Sequence, residues 1–306
     1  MKKSILALAV LGAFAGAASA QSSVTIYGKL NAELGKDLGT ADKALMDRAG
    51  SRLGFRGVED LGGGLKATFG IEHRFNPASG AANANFWNGY STAGLQGSFG
   101  WVRVGRDYTP AFLMIQNQID PFGGDTVAHL RDIGMRVGGI TKVRSASMVE
   151  YHIGMSGFNF GAQIAESNTN GGGKRPVSFA ANYAAGPLFV GAGYEDPNGS
   201  NDKQWSLGGR YNFGAATVSA GFSKGTTQAN ADAKGFLVGV NVPVGAADLK
   251  AGFASQKVGS TTVSSKLGLG VHYNLSKRTK VFADFGRDSK LATEKTGYDF
   301  GVQHNF

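Results

Sequence analysis

The chain has 306 residues, with 48 glycines, seven prolines and no cysteine; 42% are hydrophobic, 17% are charged, and the net charge is +9. So much glycine without a collagen period, beside 20 Phe, 9 Tyr and 3 Trp, excludes a triple helix and a disordered chain. The missing cysteine excludes disulfides, thiolate metal sites and cysteine nucleophiles, and no stretch beyond residue 20 approaches the roughly 18 to 20 apolar residues of a spanning helix.

The first twenty residues form a unit of their own. A basic start at Lys2 and Lys3, an apolar run from Ile5 to Ala18 and the small-residue site Ala18-Ser19-Ala20 predict a cleaved secretory signal over 1–20. The mature chain, 21–306, is expected to be one domain. Losing two of the 31 basic residues against 22 acids leaves it at +7. Export argues against nucleic acid as the partner of that charge and leaves anionic lipid, phosphate-bearing surface sugars or anionic solutes.

From Val24 to Leu34 the even positions are apolar or glycine, and the odd ones are Thr25, Tyr27, Lys29, Asn31 and Glu33. A period of two places the two sets on opposite faces of a strand. The pattern returns at Leu65, Ala67, Phe69 and Ile71, at Val218, Ala220 and Phe222, at Leu267, Leu269, Val271 and Tyr273, and at Tyr298, Phe300 and Val302. In all it predicts sixteen strands, near 24–34, 50–60, 64–75, 88–97, 100–107, 145–154, 158–166, 176–185, 188–195, 203–213, 216–224, 234–243, 247–256, 265–275, 279–287 and 296–306. Tight connections such as Ser98 to Gly100 alternate with longer polar ones such as Lys36 to Arg48, Ser167 to Arg175 and Gly225 to Ala233.

A meander of about ten-residue strands, with short turns at one end and long loops at the other, fits an outer-membrane barrel. Within lipid such a sheet must close, because no edge can stay unpaired. A soluble sandwich also alternates, but it would need its apolar faces to form a dry core with smaller, more uniform loops. Sixteen strands behind an export signal favour an all-β, sixteen-stranded antiparallel transmembrane barrel with an aqueous lumen. Glycines crowd the polar face, as expected where a lumen needs no side chains to fill it.

Between Tyr108 and Arg144 the alternation stops for longer than a structureless connection usually runs. Phe112, Leu113, Met114, Ile115, Phe122 and Val127 make the segment too apolar for disorder, so it is expected to pack on the inner wall.

Several motifs carry a resemblance. They are Ser22 to Gly28, the run Ser51-Arg52-Leu53-Gly54-Phe55-Arg56-Gly57 continuing to Ala67, Gly105-Arg106-Asp107-Tyr108-Thr109-Pro110, Pro121-Phe122-Gly123-Gly124-Asp125-Thr126, Arg136-Val137-Gly138-Gly139, Leu275 to Thr279 and terminal Phe306. Over the whole mature chain the sequence resembles the trimeric general diffusion porins of Gram-negative outer membranes, in particular their beta-proteobacterial branch. The resemblance implies a homotrimer and a third external loop, 108–144, folded into the lumen as a constriction. It also implies an outer-membrane channel for passive diffusion of small hydrophilic solutes and ions.

A pore selects by diameter and by the charge at its narrowest point. Arg52 and Arg56 share the face opposite Leu53 and Phe55, so both point inward if the latter meet lipid. By motif match Arg52, Arg106 and Arg136 take the role of a basic wall, with Arg56 and Arg144 as neighbours. Parity sets Arg103 and Arg106 on opposite faces, so one of them lines the lumen unless a bulge intervenes. On the acidic side stand Asp120 and Asp125, with Asp120 one position ahead of the motif's usual acid, and Asp132 as a further candidate. The loop's own Arg131, Arg136 and Lys142 tip the balance to basic, which suggests an anion preference.

Trp87, Tyr90, Trp101, Tyr183, Trp205, Tyr211, Phe213, Tyr273, Tyr298 and Phe306 fall near strand ends and read as interfacial girdles. In the porin family a terminal aromatic preceded by alternating apolar residues addresses the outer-membrane assembly machinery, a pattern that Tyr298, Phe300, Val302 and Phe306 supply. Outer-membrane lipid and lipopolysaccharide are the remaining expected partners. No nucleophile elbow, zinc-protease motif, phosphate loop or dinucleotide fingerprint is present, so no catalytic residue, cofactor or metal is expected. The alternative roles are a barrel lipase, with Ser and His assembled across strands, and an adhesin with a plugged lumen.

Overall fold

The computed structural model describes residues 22–306, so the expected signal segment, 1–20, lies outside the described residues. β1 (Ser23–Lys36) is followed by the short β2 (Lys43–Met46), then by β3 (Arg52–Gly62), β4 (Leu65–Arg74), β5 (Tyr90–Gly97) and β6 (Gly100–Tyr108). After the long third loop come β7 (Arg144–Met155), β8 (Phe158–Ala165), β9 (Val177–Ala185), β10 (Leu188–Asp196), β11 (Lys203–Asn212) and β12 (Thr217–Thr226). The last are β13 (Asp232–Val244), β14 (Ala247–Val258), β15 (Thr261–Asn274), β16 (Thr279–Asp288) and β17 (Thr296–Asn305).

Leaving β2 aside, each strand pairs antiparallel with the next along the chain, β1 directly with β3, and β17 returns to β1 through the register Lys29↔Asn305 to Lys36↔Tyr298, which closes the barrel. Sixteen strands form the wall and overlap the sixteen expected runs. β2 is the addition, folding back onto the upper half of β1 from Glu33↔Met46 to Lys36↔Lys43.

The burial pattern is inverted relative to a soluble sandwich. On β1, Val24, Ile26, Leu30 and Leu34 are exposed while Asn31 and Glu33 between them are buried. Glu72, Glu150, Gln163, Glu195, Asp284 and Asp299 are also buried. Apolar faces outward and polar faces inward are the arrangement that a hydrocarbon surround and a wet interior select. Trp205, Tyr211, Phe213, Tyr273 and Phe306 are exposed on the outside, as girdle residues should be. Tyr90 and Trp101 are corrections. The Tyr90 hydroxyl accepts from Tyr27 at 2.6 Å on the inner face, and Trp101 stacks on His152 at 4.0 Å, on the strand face opposite exposed Val104.

The apolar core lies inside the barrel, between the third loop and the wall. Ile115, Ile119, Phe122, Leu130 and Met135 of the loop pack with Ala180, Phe189, Leu237 and Ala254 of the strands. The loop is not free of helix: Ala111–Gln116 forms a π turn and Arg131–Gly134 a short α turn. Glycine on the inner face makes the seat. A Cβ at Gly191 would stand 2.6 Å from Ile115, one at Gly208 2.5 Å from Ile119, one at Gly239 2.6 Å from Pro121 and one at Gly252 2.6 Å from Leu130. Gly161, Gly268, Gly286 and Gly297 meet Met114, Ala128 and Val127 in the same way. The inner-face glycines from β8 to β17 therefore receive the loop rather than leaving open lumen. Each large apolar side chain seated there contributes about 1.5–3 kcal/mol.

Polar side chains of the wall fasten the loop backbone. Buried Glu195 takes both ends, accepting from Thr109 Oγ1 at 2.9 Å and from the Lys142 amide. Asp299 accepts from the Val127 amide at 2.6 Å, Lys250 donates to the Pro121 carbonyl at 2.6 Å, and Gln204 accepts from the Val137 amide at 2.9 Å.

Candidate pore constriction

With the loop seated on β8 to β17, free space remains on the opposite side, against β1, β3, β4, β6 and β7. A cavity of about 390 Å³ there is bounded by Lys29, Arg48, Arg52, Arg74, Tyr108 and Arg144 on the wall side, and by Phe112, Asn117, Gly124, Asp125 and Arg131 on the loop side. Six cationic side chains thus meet one carboxylate, Asp125.

The cations differ in how far their charge is neutralised. Lys29 pairs with Asp125 at 3.1 Å. Arg48 lies between Asp37 at 3.0 Å, Glu33 at 3.4 Å and Asp299 at 3.7 Å, so its charge is spent on the wall. Arg74 pairs with Glu72 at 2.8 Å and donates to the Tyr108 hydroxyl at 2.6 Å. Arg131 donates to Asn117 Oδ1 at 2.6 Å, touches Asp132 at 3.2 Å and lies over the Phe112 ring at 5.0 Å. Arg52 donates only to backbone carbonyls, those of Gly50 at 3.0 Å and Ala49 at 2.6 Å. Arg144 lies over the Tyr108 ring at 4.0 Å and donates to its hydroxyl. Among the described residues neither Arg52 nor Arg144 has a carboxylate within 4 Å, so both present uncompensated charge.

Of the expected residues, Arg52, Arg144 and Asp125 are brought together here. Arg56 is on the inner face but lies over the Tyr27 ring at 5.2 Å, four residues, or roughly 13 Å, along β3 toward the short-turn end. Arg106 is drawn to the second external loop, where it donates to Asn88 O at 3.3 Å and Asn88 Oδ1 at 3.0 Å. Arg136 belongs to the loop itself, donating to Asp132 at 2.8 Å and to the Thr141 carbonyl at 3.1 Å. Asp120 is buried and accepts from the amides of Phe122 at 3.0 Å, Leu130 at 2.8 Å and Arg131 at 2.9 Å, which makes it a brace of the loop and not a pore-lining acid. Of Arg103 and Arg106, Arg103 is the one on the inner face, shared with Trp101, yet neither bounds the cavity. Arg103 stacks on Trp101 at 4.1 Å and faces Asp107 at 3.7 Å, away from the cavity. The anticipated irregularity sits in the neighbouring strand: Gly105 faces Met148 but Asp107 faces Ser145, so β7 carries one extra residue, with Ser147 at φ 49°.

Sequence reasoning missed Lys29, Arg48, Arg74 and Tyr108 as cavity residues and counted Arg131 only among the charges of the loop. Lys29 and Arg74 were signalled by parity with Asn31 and Glu72, whereas Arg48 and Arg131 lie in loops where no period applies. Inside the loop, burial raises the Asp132 carboxyl, but Arg131, Arg136 and His129 outweigh that and hold it below its ordinary value. Burial and Lys266 push the His129 imidazole down. The acid of that cluster is therefore charged at neutral pH.

Residues 7–292 match the family model of Gram-negative porins. Over the full length of both chains the sequence is 33% identical to outer membrane porin protein 32 of Delftia acidovorans, and 29% identical to an outer membrane porin protein of Bordetella pertussis. Among solved structures, an anion-selective porin from Comamonas acidovorans superposes with a TM-score of 0.78 at 26% identity, covering 94% of this chain and 100% of that one. OmpT of Vibrio cholerae, in a trimer form, superposes with a TM-score of 0.74 at 17% identity, covering 93% and 99%.

Proposed function

We infer that this chain, which belongs to the Gram-negative porin family, forms a channel in which anions pass more readily than cations. The protein is an outer-membrane porin: a closed barrel of sixteen wall strands that admits small hydrophilic solutes by passive diffusion. The anion preference rests on one observation, the six cations and single carboxylate around the cavity, with Arg52 and Arg144 unneutralised. Two unit charges about 4 Å apart interact by about 1 kcal/mol in bulk water and about 4 kcal/mol near a protein surface, so a few fixed guanidinium groups bias a narrow passage. Charges more than about 8 Å away are screened at physiological salt. The structural relative from Comamonas acidovorans is itself described as anion-selective. The test is the zero-current potential of the purified protein in a planar bilayer under a salt gradient; a cation-selective sign would overturn the reading.

We further propose that the channel works as a homotrimer. The Vibrio cholerae protein of the same fold is known in a trimer form. Tyr298, Phe300, Val302 and Phe306 are proposed as the signal read by the assembly machinery. Phe300, Val302 and Phe306 stand exposed on the outer face, and Phe306 exchanges backbone hydrogen bonds of 3.0 and 3.1 Å with Gly28 at the closing seam. A channel role is favoured over hydrolysis because the histidines lie against carboxylates, a threonine or aromatic rings, with no serine hydroxyl bonded to any of them among the described residues.

A further inference from the structure

The inner face of the barrel accounts for the arginines around the cavity, but not for a row of lysines on the outer face. Lys224 of β12 stands directly across from Lys234 of β13, and Lys234 directly across from Lys257 of β14. Directly opposed residues have Cβ atoms about 4.5–5.5 Å apart, and like charges in that position destabilise a sheet. All three side chains are exposed, on the same faces as Phe222, Phe236 and Phe253. Lys203 of β11 adds a fourth cation, two residues from Trp205, which is itself paired with Lys224. Among the described residues none of the four makes an ion pair or a side-chain hydrogen bond. Asp232, at the start of β13 on the same face, pairs with none of them.

The row's position identifies its surroundings. Short turns such as Gly157, Gly186 and Gly245 lie at one end of the barrel, and the long loops lie at the other. In outer-membrane barrels the long loops are external. Lys224, Lys234 and Lys257 stand within two residues of that end of their strands, at the boundary between outer leaflet and solvent. Directly beneath them Leu207, Phe222, Phe236 and Val238 line an apolar groove of about 650 Å³ that runs down the lipid-facing wall. Cations above and an apolar groove below are complementary to one amphiphile, with phosphates at headgroup depth and acyl chains against the wall.

We propose that the Lys224–Lys234–Lys257 row, with Lys203 at its flank, is a binding site for the phosphate groups of an outer-leaflet glycolipid whose chains occupy the groove below. Three adjacent ammonium groups call for more than one anionic charge per ligand, which favours a multiply phosphorylated glycolipid over a phospholipid with a single phosphate. The site rests on the outer-membrane location of the barrel and is independent of which ions the lumen prefers.

The test uses the full mature protein in mild detergent, mixed with a bis-phosphorylated lipid A, with its dephosphorylated form, with phosphatidylglycerol or with inorganic phosphate, and read by native mass spectrometry. The wild type is expected to retain bis-phosphorylated lipid A, with the K224Q/K234Q/K257Q variant retaining at least tenfold less and the corresponding triple arginine variant retaining it as the wild type does. Should the glutamine variant fail to fold, Lys234→Gln alone, at the centre of the row, is expected to weaken retention severalfold. Equal retention by wild type and glutamine variants, equal retention of the dephosphorylated lipid or of phosphatidylglycerol, or full displacement by millimolar inorganic phosphate would each overturn the proposal. Zero-current potentials of the same preparations in a neutral bilayer report separately on the channel reading, and they should be unchanged by the lysine substitutions.

Discussion

The guanidinium groups of Arg74 and Arg144, carried by β4 and β7, converge on a single atom, the phenolic oxygen of Tyr108. Two like charges are thereby held side by side at the cavity wall. Glu72 takes part of the charge of Arg74, and the Tyr108 ring supports Arg144 from below while stacking on Phe112 of the loop at 5.6 Å. Tyr108→Phe keeps the ring and removes the shared acceptor. A hydrogen bond to a charged group is worth about 1.5–3 kcal/mol. The anion-to-cation permeability ratio is expected to fall roughly two- to threefold with folding preserved, read from the zero-current potential.

Removing the charges themselves should do more. Arg52, Arg74 and Arg144 bound the cavity, whereas Arg106 and Arg136 are held by Asn88 and by Asp132 with Thr141. Neutralising Arg52, Arg74 and Arg144 together is expected to abolish or reverse the anion preference. Neutralising Arg106 alone should leave its sign unchanged; a comparable loss from both would place the selectivity elsewhere.

The two aspartates of the loop should part company. Asp120 accepts three backbone amides out of solvent, so Asp120→Asn leaves buried donors poorly matched and should cost about 1–3 kcal/mol of stability. Asp125 is partly exposed and pairs only with Lys29, so Asp125→Asn should change stability by about 1 kcal/mol or less while raising anion preference. Thermal melts in detergent and bilayer potentials on the same two variants separate the effects.

Substitutions at the loop's seat test the inner-face glycines. Gly208→Val and Gly252→Leu place atoms where Ile119 and Leu130 now lie, and overpacking of this kind costs about 1–3 kcal/mol. The expected result is a lower melting temperature together with an altered single-channel conductance, because the loop must shift into the open space. Gly209→Ala, where the nearest atom is the Phe189 carbonyl oxygen at 3.3 Å, is the mild comparison.

Deleting Phe306 removes two backbone hydrogen bonds at the seam and the ring that covers Gly28. Protein lacking it should accumulate in the periplasm; normal surface levels, measured by cell fractionation, would argue against its role in assembly.

The wall strands were legible because period two is a local property. Leu30 and Leu34 against Asn31 and Glu33 already separate lipid from lumen without any knowledge of neighbours. β2 escaped because four residues carry too little alternation to register. Within the site, Arg52 was found by parity on a strand, while Arg131 and Arg48 depend on how loops fold back, which no spacing encodes. Asp120 and Asp125 sit five residues apart in one acidic-looking motif, and only the backbone path shows that one points into the loop and the other out of it. The inner glycines were visible as composition, but their purpose becomes apparent only once Ile115, Ile119 and Leu130 occupy them.

The placement of the third loop divides the cylinder lengthwise into two halves with separate duties. From β8 to β17 the interior is a mould, whose residues answer to the shape of Ile119, Leu130 and Met135 and are screened from passing solutes. From β1 to β7 it bounds the open cavity, and in the proposed reading its residues act as a filter that answers to the ions in transit. Permeability can therefore be retuned on the filter without disturbing the cast. Changes to the mould reach the solute only indirectly, by moving the one segment that both halves share.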